Sequence, residues 1–254
     1  MGANNGVING AEAFLYEGNE IGLLLSHGFM GTPQSVRFIG EKLAELGYTV
    51  LAPRLKGHGT DYYDLEGCKN EDWFHSLEKG YNKLKDRCTK VFVIGQSMGG
   101  TLSLWLANKN PEISGIILIN AALSIPTLEH FKNAISPRFV KEGRPDIKDK
   151  SVHEITYDKA PLLSIQELQK LMNDTPAILP SIHCPVLGIK SAIDHVVPPA
   201  NTDFILANVA SRIKQRVVLE NSYHVASMDF DKQAIINHIH QFTQTILQQN
   251  KQAI

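Results

Sequence analysis

The sequence is poor in cysteine: its 254 residues carry three, Cys68, Cys88 and Cys184, widely spaced and with no CxxC pair. An odd, scattered set argues against a disulfide framework or a zinc site and suits a reducing compartment, so a cytoplasmic location is expected. Charge of one sign is lacking too, with 25 Lys and Arg against 26 Asp and Glu and a net charge of -1. Without a basic run the electrostatic footprint of a nucleic-acid binder is missing. Long hydrophobic runs are absent. The longest, Ile116 to Ile119 with Ala121 to Leu123 after Asn120, falls far short of the ~20 residues that span a bilayer, so stable membrane insertion is not expected. The opening MGANNGVINGAEAFLYEG has neither a basic stretch nor an apolar core and does not read as a secretory signal. Gly6 stands where a myristoylation signal wants Ser or Thr.

What is present fits one soluble globular unit: 43% hydrophobic and 20% charged residues, in a length that an α/β domain with an insertion reaches. Short β-rich apolar runs alternate with amphipathic segments, the signature of βαβ units around a mostly parallel sheet. Strands are predicted at Ile21 to Ser26, Tyr48 to Leu51, Val91 to Ile94, Ile116 to Ile119, Val186 to Ile189 and Val217 to Leu219. Helices are predicted at Gln34 to Leu46, stopped by Gly47; from a cap at Asn70 through Trp73, Leu77, Tyr81 and Leu84; at Ala200 to Val209; and at Asp231 to Leu247.

The rhythm breaks between Ser124 and Leu179, where no strand is predicted and Pro126, Pro137, Pro145, Pro161 and Pro176 punctuate short helical stretches near Leu128 to Ile135 and Ser164 to Met172. Ser164 and Glu167 have capping-box spacing. So long a segment between two parallel strands exceeds a plain crossover. The chain therefore divides into a core of residues 1–123 and 180–254 and an all-helical insertion, 124–179, expected to lie as a lid over one end of the sheet.

At VFVIGQSMGGTL, Val91 to Leu102, a β-run stops at a serine between two glycines and a helix-like run follows. A G-x-S-x-G sharp strand-to-helix turn would present the Ser97 hydroxyl to a base and the helix N-terminus to a developing oxyanion. Alternatively, Ser97 merely caps the helix. A nucleophile needs partners, and Asp194 follows the Val186 to Ile189 strand while His224 follows the Val217 to Leu219 strand. The order Ser, Asp, His on loops after strands is that of an α/β-hydrolase triad, with His224 as base and Asp194 fixing its tautomer. His195 is the rival base.

The oxyanion would be held by the backbone N–H groups of Met98 and of Phe29 in the HGFMG loop. A glycine-rich loop could instead cradle phosphate, but HGFMG has neither nucleotide-binding spacing. His58 reads as a turn residue, His183 lacks companions, and His238 with His240 point to different helix faces. Nothing requires a metal or a cofactor.

Together HGFMGTP, PRLKGHGT, GQSMGGT, INAA, DHVVPP and NSYHVA resemble the bacterial monoacylglycerol lipases and small carboxylesterases of the α/β-hydrolase superfamily over nearly the whole chain. Gln96 departs from the leucine expected there. The resemblance implies an α/β-hydrolase fold with a helical lid, an acyl-enzyme on Ser97, and a small-molecule ester substrate, foremost monoacylglycerol. It further implies that Glu154 touches the glycerol hydroxyls, with Asn120 on the same wall; a solvated surface carboxylate is the alternative for Glu154. Apolar lid residues such as Ile125, Leu128, Phe131 and Leu171 either line an acyl channel or attach the lid to the body, and transient lipid contact by the lid is allowed. A general carboxylesterase and a non-catalytic binder that keeps the pocket are the competing readings.

Overall fold

Leu23, Leu24 and Leu25 are all fully buried, which a strand achieves only when both faces of its sheet are covered. They lie on β2 of the computed structural model, which describes residues 6–252. The reading of the first five residues lies outside the described residues.

In chain order, β1 (Phe14–Tyr16) and β2 (Ile21–Ser26) lead to α1 (Gln34–Glu45) and β3 (Thr49–Ala52). A short α2 (Tyr62–Glu66) and α3 (Asn70–Lys85) precede β4 (Lys90–Gln96), α4 (Met98–Lys109) and β5 (Gly115–Ile119). After a 3-10 turn come β6 (Phe139–Lys141), β7 (Lys159–Pro161) and α5 (Leu162–Asp174). The chain closes with β8 (Val186–Ser191), α6 (Ala200–Asn208), β9 (Lys214–Leu219) and α7 (Lys232–Gln252).

Seven strands form one sheet in the order β1-β3-β2-β4-β5-β8-β9, parallel throughout except for β1 at the edge. Alternate strand residues feed two cores, as the two-residue period of a strand demands. Leu24, Val93 and Leu118 pack with Trp73 and Tyr81 of α3 and Leu102 of α4, whereas Leu23, Ile94 and Ile117 pack with Ile39 of α1 and Phe242 of α7. Helices thus cover both faces. β9 differs from the buried strand predicted there: Val218 is exposed, because β9 is the sheet's outer strand.

The segment 124–179 corrects an expectation. It is not all-helical, since β6 and β7 pair antiparallel, with Val140 opposite Ala160. The ribbon is fixed by α2, where Tyr62 and Tyr63 pack edge-on against Phe139 and Lys159 lies 4.1 Å from the Tyr62 ring centroid. The helix near Leu128 is a 3-10 turn, Pro126–Phe131. Ser164 lies inside α5 rather than at its cap and donates to the Leu65 carbonyl, while Glu167 accepts from the Asn70 backbone and side chain. Asn70, expected as a cap, is accordingly the first residue of α3, and Asp72 accepts the Lys69 N–H. Ile165, Leu168 and Met172 of α5 join the same core as α3 and α4, so these residues of segment 124–179 pack into the main core. No described helix is long and apolar enough to cross a membrane.

Candidate active site

The chain leaves β2 toward β3 on one side and returns across to β4 on the other, so the loops after β2 and β4 diverge and open a crevice at the carboxyl ends of the strands. Every sequence-predicted site residue outside the insertion lies at that end: Phe29 after β2, Ser97 and Met98 after β4, Asn120 after β5, Asp194 after β8 and His224 after β9.

Ser97 has φ 56° and ψ -121°, a left-handed conformation costly for a residue with a Cβ. The turn survives because its flanks carry no side chains. A Cβ on Gly95 would run into the Gly99 carbonyl, and one on Gly99 into the Ser26 carbonyl. The Ser97 N–H donates to Ile119 O at 2.9 Å, tying the turn to β5. The Ser97 hydroxyl makes no capping bond. Instead Oγ lies 2.9 Å from His224 Nε2, and His224 Nδ1 lies 2.8 Å from Asp194 Oδ2. Asp194 Oδ1 accepts the Val196 and Val197 N–H groups at 2.9 and 2.8 Å, which orients the carboxylate. The rival His195 is turned away, its Nδ1 2.8 Å from Asp146 Oδ1 and its side chain 58% exposed.

Phe29 lines the same cavity as the serine, and Met98 follows the serine at the start of α4 with its side chain in the core; the backbone N–H groups of both have no acceptor among the described residues. The β2 loop is held by His27, whose Nδ1–H donates to Gly28 O at 2.9 Å while Nε2 accepts the Leu55 N–H at 3.2 Å. That division requires a neutral ring, and burial lowers the His27 pKa to about 4. His58, also buried and held well below its ordinary value first by burial and then by His27, packs edge-on against Phe29. Phe29 further packs against Trp73, with ring centroids 5.7 Å apart.

The cavity beside Ser97 has a volume of about 230 Å3 and is shared by the loops after the strands and segment 124–179, with Phe29, Ser97 and His224 facing Glu142, Arg144 and Glu154. Glu154 is not a solvated surface carboxylate. It is buried, its Oε1 lies against Gly31, and burial pushes its pKa up to about 7 although His224 opposes the shift.

Asn120 does not line this cavity, correcting the expectation that it shares a wall with Glu154. It is 2% exposed, accepts the Ser191 N–H at 2.7 Å and donates to the Ser191 hydroxyl and to the His224 carbonyl at 3.0 and 2.9 Å. A left-handed backbone at Asn120, φ 46°, turns the side chain toward β8 and the histidine loop. Gln96, the departure noted in the sequence, donates its Nε2–H to the same His224 carbonyl at 2.8 Å.

Sequence reasoning missed two aspartates. Asp229, fully buried, accepts the N–H groups of Lys148, Asp149, Tyr223 and Phe230. Asp146 meets the loops of both Asp194 and His224. Their sequence distance from the elbow gives no signal, although Asp229 stands only five residues after His224.

The family model described as "Serine aminopeptidase, S33" matches residues 20–231. The chain is 47% identical over 232 residues to the thermostable monoacylglycerol lipase of Bacillus sp. (strain H-257), covering 91% of this chain and 93% of that protein. It is 28% identical over 239 residues to a carboxylesterase of Bacillus subtilis (strain 168), covering 92% and 96%. A solved structure of a metagenome-derived lipolytic enzyme, of the LipS and LipT pair, superposes with a TM-score of 0.91 at 40% identity, covering 94% of this chain and 99% of that one.

Proposed function

We propose that this chain, which belongs to the α/β-hydrolase family described as serine aminopeptidase, S33, hydrolyses carboxylic esters through an acyl-enzyme on Ser97, with monoacylglycerols as the preferred class. The observation that carries the reading is the aligned Ser97 hydroxyl, His224 ring and Asp194 carboxylate, with contacts of 2.9 and 2.8 Å, opening on a cavity whose far wall holds a buried glutamate. The named relatives, one a monoacylglycerol lipase and one a carboxylesterase, support ester rather than peptide substrates.

In this reading Ser97 Oγ attacks the ester carbonyl carbon as His224 Nε2 takes its proton, and Asp194 stabilises the imidazolium. The carbonyl oxygen becomes an oxyanion held by the Phe29 and Met98 N–H groups. As the tetrahedral intermediate collapses, the ester C–O bond breaks and His224 returns the proton to the leaving glycerol oxygen. Water then enters and attacks the acyl carbon as it loses a proton to His224; the acyl C–Oγ bond breaks, the fatty acid leaves and His224 returns the proton to Ser97 Oγ. The insertion, 124–179, acts as a lid over this chemistry. Exposed Ile135 and Leu163 on it suit transient contact with a lipid surface, and the three free cysteines suit a cytoplasmic setting.

Hydrolysis rates on 1-monolauroylglycerol, dilauroylglycerol, trilaurin and a short p-nitrophenyl ester test the substrate class. Activity concentrated on the monoglyceride and the short ester is expected. Little turnover of the monoglyceride beside rapid turnover of simple esters would replace this reading with a general carboxylesterase.

Glu154 adds a pH signature. Below about 7 its buried carboxyl is protonated, and above that value it is ionised and accepts charge-assisted hydrogen bonds. Glycerol hydroxyls donate better to the anion, by ~1 kcal/mol, so KM for the monoglyceride is expected to fall about fivefold between pH 6 and pH 8. The p-nitrophenyl ester, which has no glycerol, is expected to show no such fall, and Glu154→Gln to remove it. A pH-independent KM ratio between the two substrates would detach Glu154 from the glycerol.

A further inference from the structure

We propose that Asp146, on the inserted segment, is a positioning residue that ties the loops of Asp194 and His224 together and fixes the main chain of the base; the inference rests on the ester-hydrolase reading above. One carboxylate oxygen, Oδ2, accepts the N–H of His195 at 3.1 Å and the N–H of His224 at 3.2 Å. The other, Oδ1, lies 2.8 Å from His195 Nδ1. The Asp146 carbonyl accepts the Val225 N–H at 3.1 Å, so the residue grips His224 and its successor through side chain and backbone alike.

The grip has a counterpart. On its other side the His224 carbonyl accepts from Gln96 and Asn120, both on the body. The histidine's main chain is therefore held between the sheet and the insertion. His195 directly follows Asp194, so the same carboxylate also fixes the loop that orients the triad acid. The insertion cannot drift here, because its next turn, Lys148 and Asp149, donates to the buried Asp229.

Removing the Asp146 carboxylate deprives two backbone donors and one imidazole of their acceptor. A side-chain base displaced by a fraction of an ångström loses its line to the nucleophile, and displacements near 1 Å cost about 100-fold. Because Asp146 also borders the cavity, a substrate-binding role is the rival, and the two roles separate in the kinetics. Positioning acts on kcat. Binding acts on KM.

The experiment measures kcat, KM and the rate of covalent labelling of Ser97 by a fluorophosphonate in the wild type, Asp146→Ala and Asp146→Asn, with thermal denaturation to establish folding. Asp146→Ala is expected to lower kcat and the labelling rate 10- to 100-fold with KM within about twofold. Asp146→Asn keeps an oxygen at the Oδ2 position for both backbone N–H groups and can donate to an unprotonated His195 Nδ1, so it is expected to recover at least about a third of kcat. A kcat within about twofold of wild type in Asp146→Ala, or a rise in KM with the labelling rate unchanged, would overturn the proposal. If Asp146→Ala does not fold, Asp146→Glu, which keeps the charge but shifts the acceptors by one methylene, replaces it. A fall of at least about threefold in both rates then supports positioning, and unchanged rates overturn it. Labelling needs no ester substrate, so a wild type that labels without hydrolysing esters would refute the functional reading alone.

Discussion

Ser97→Ala is expected to lower kcat on a monoacylglycerol by about 10^5- to 10^6-fold and to abolish fluorophosphonate labelling, with KM close to wild type. The size of the loss follows from what remains. In the proposed reaction the Phe29 and Met98 N–H groups would still bind a developing oxyanion and the cavity would still orient the ester, a combination that retains ~10^3- to 10^4-fold over water in serine hydrolases. What disappears is the covalent route, since no water occupying the vacated hydroxyl position is tethered to the backbone. The variant is expected to fold normally: alanine at φ 56° carries the same backbone strain as serine, and the Ser97 side chain's only hydrogen-bond partner among the described residues is His224. Hydrolysis within tenfold of wild type would show that another group attacks the ester.

Asp194→Asn is expected to cost about 10^4 in kcat, and its geometry makes this more than the loss of a charge. Oδ1 is pinned by two N–H donors, Val196 and Val197, so an asparagine keeps its carbonyl oxygen there. Its amide NH2 must then face His224 Nδ1. That ring nitrogen becomes the acceptor, the proton moves to Nε2, and the base can no longer accept from Ser97. Labelling by the fluorophosphonate is expected to slow in parallel while the melting temperature changes little. Activity retained within tenfold would mean that Asp194 does not set the tautomer, despite its 2.8 Å contact with Nδ1.

The elements that the sequence makes legible are those whose burial is set by period. β2, β4, β5 and β8 are continuous apolar runs because both faces are covered, and α1 and α3 carry their apolar residues at helical spacing. Less legible are pieces too short to have a period. β1, β6 and β7 have three residues each, and β7 contains a proline, yet all exist because a neighbouring strand or the aromatic rings of α2 hold them. The five-residue α2 had one local signal, Asp61, whose side chain accepts the Tyr63 N–H.

The site divides in the same way. Ser97, Asp194 and His224 announce themselves by motif and by following strands, and the structure brings them into hydrogen-bond reach. Asn120 and Gln96 differ: their neighbours in sequence say nothing of a carbonyl more than one hundred residues away, and both side chains reach it. Asp146 is the same case across the insertion, 78 residues from His224. Polar residues whose partners are backbone atoms leave no pattern in one sequence, because any segment offers the same N–H and C=O.

The grip on the His224 peptide has a thermodynamic meaning. Immobilising a side chain on a loop at the moment of reaction would consume rotational and torsional freedom in every turnover, and that loss would enter the activation barrier. Here the carbonyl is already bound by two amides and the N–H by a carboxylate, so the backbone freedom of His224, the proposed base, is surrendered once, when the chain folds. Only the torsions of the imidazole remain, and Asp194 limits those. The entropy of alignment is thereby moved from the catalytic cycle into the folding equilibrium, at a cost of ~1–2 kcal/mol for each residue whose backbone is fixed.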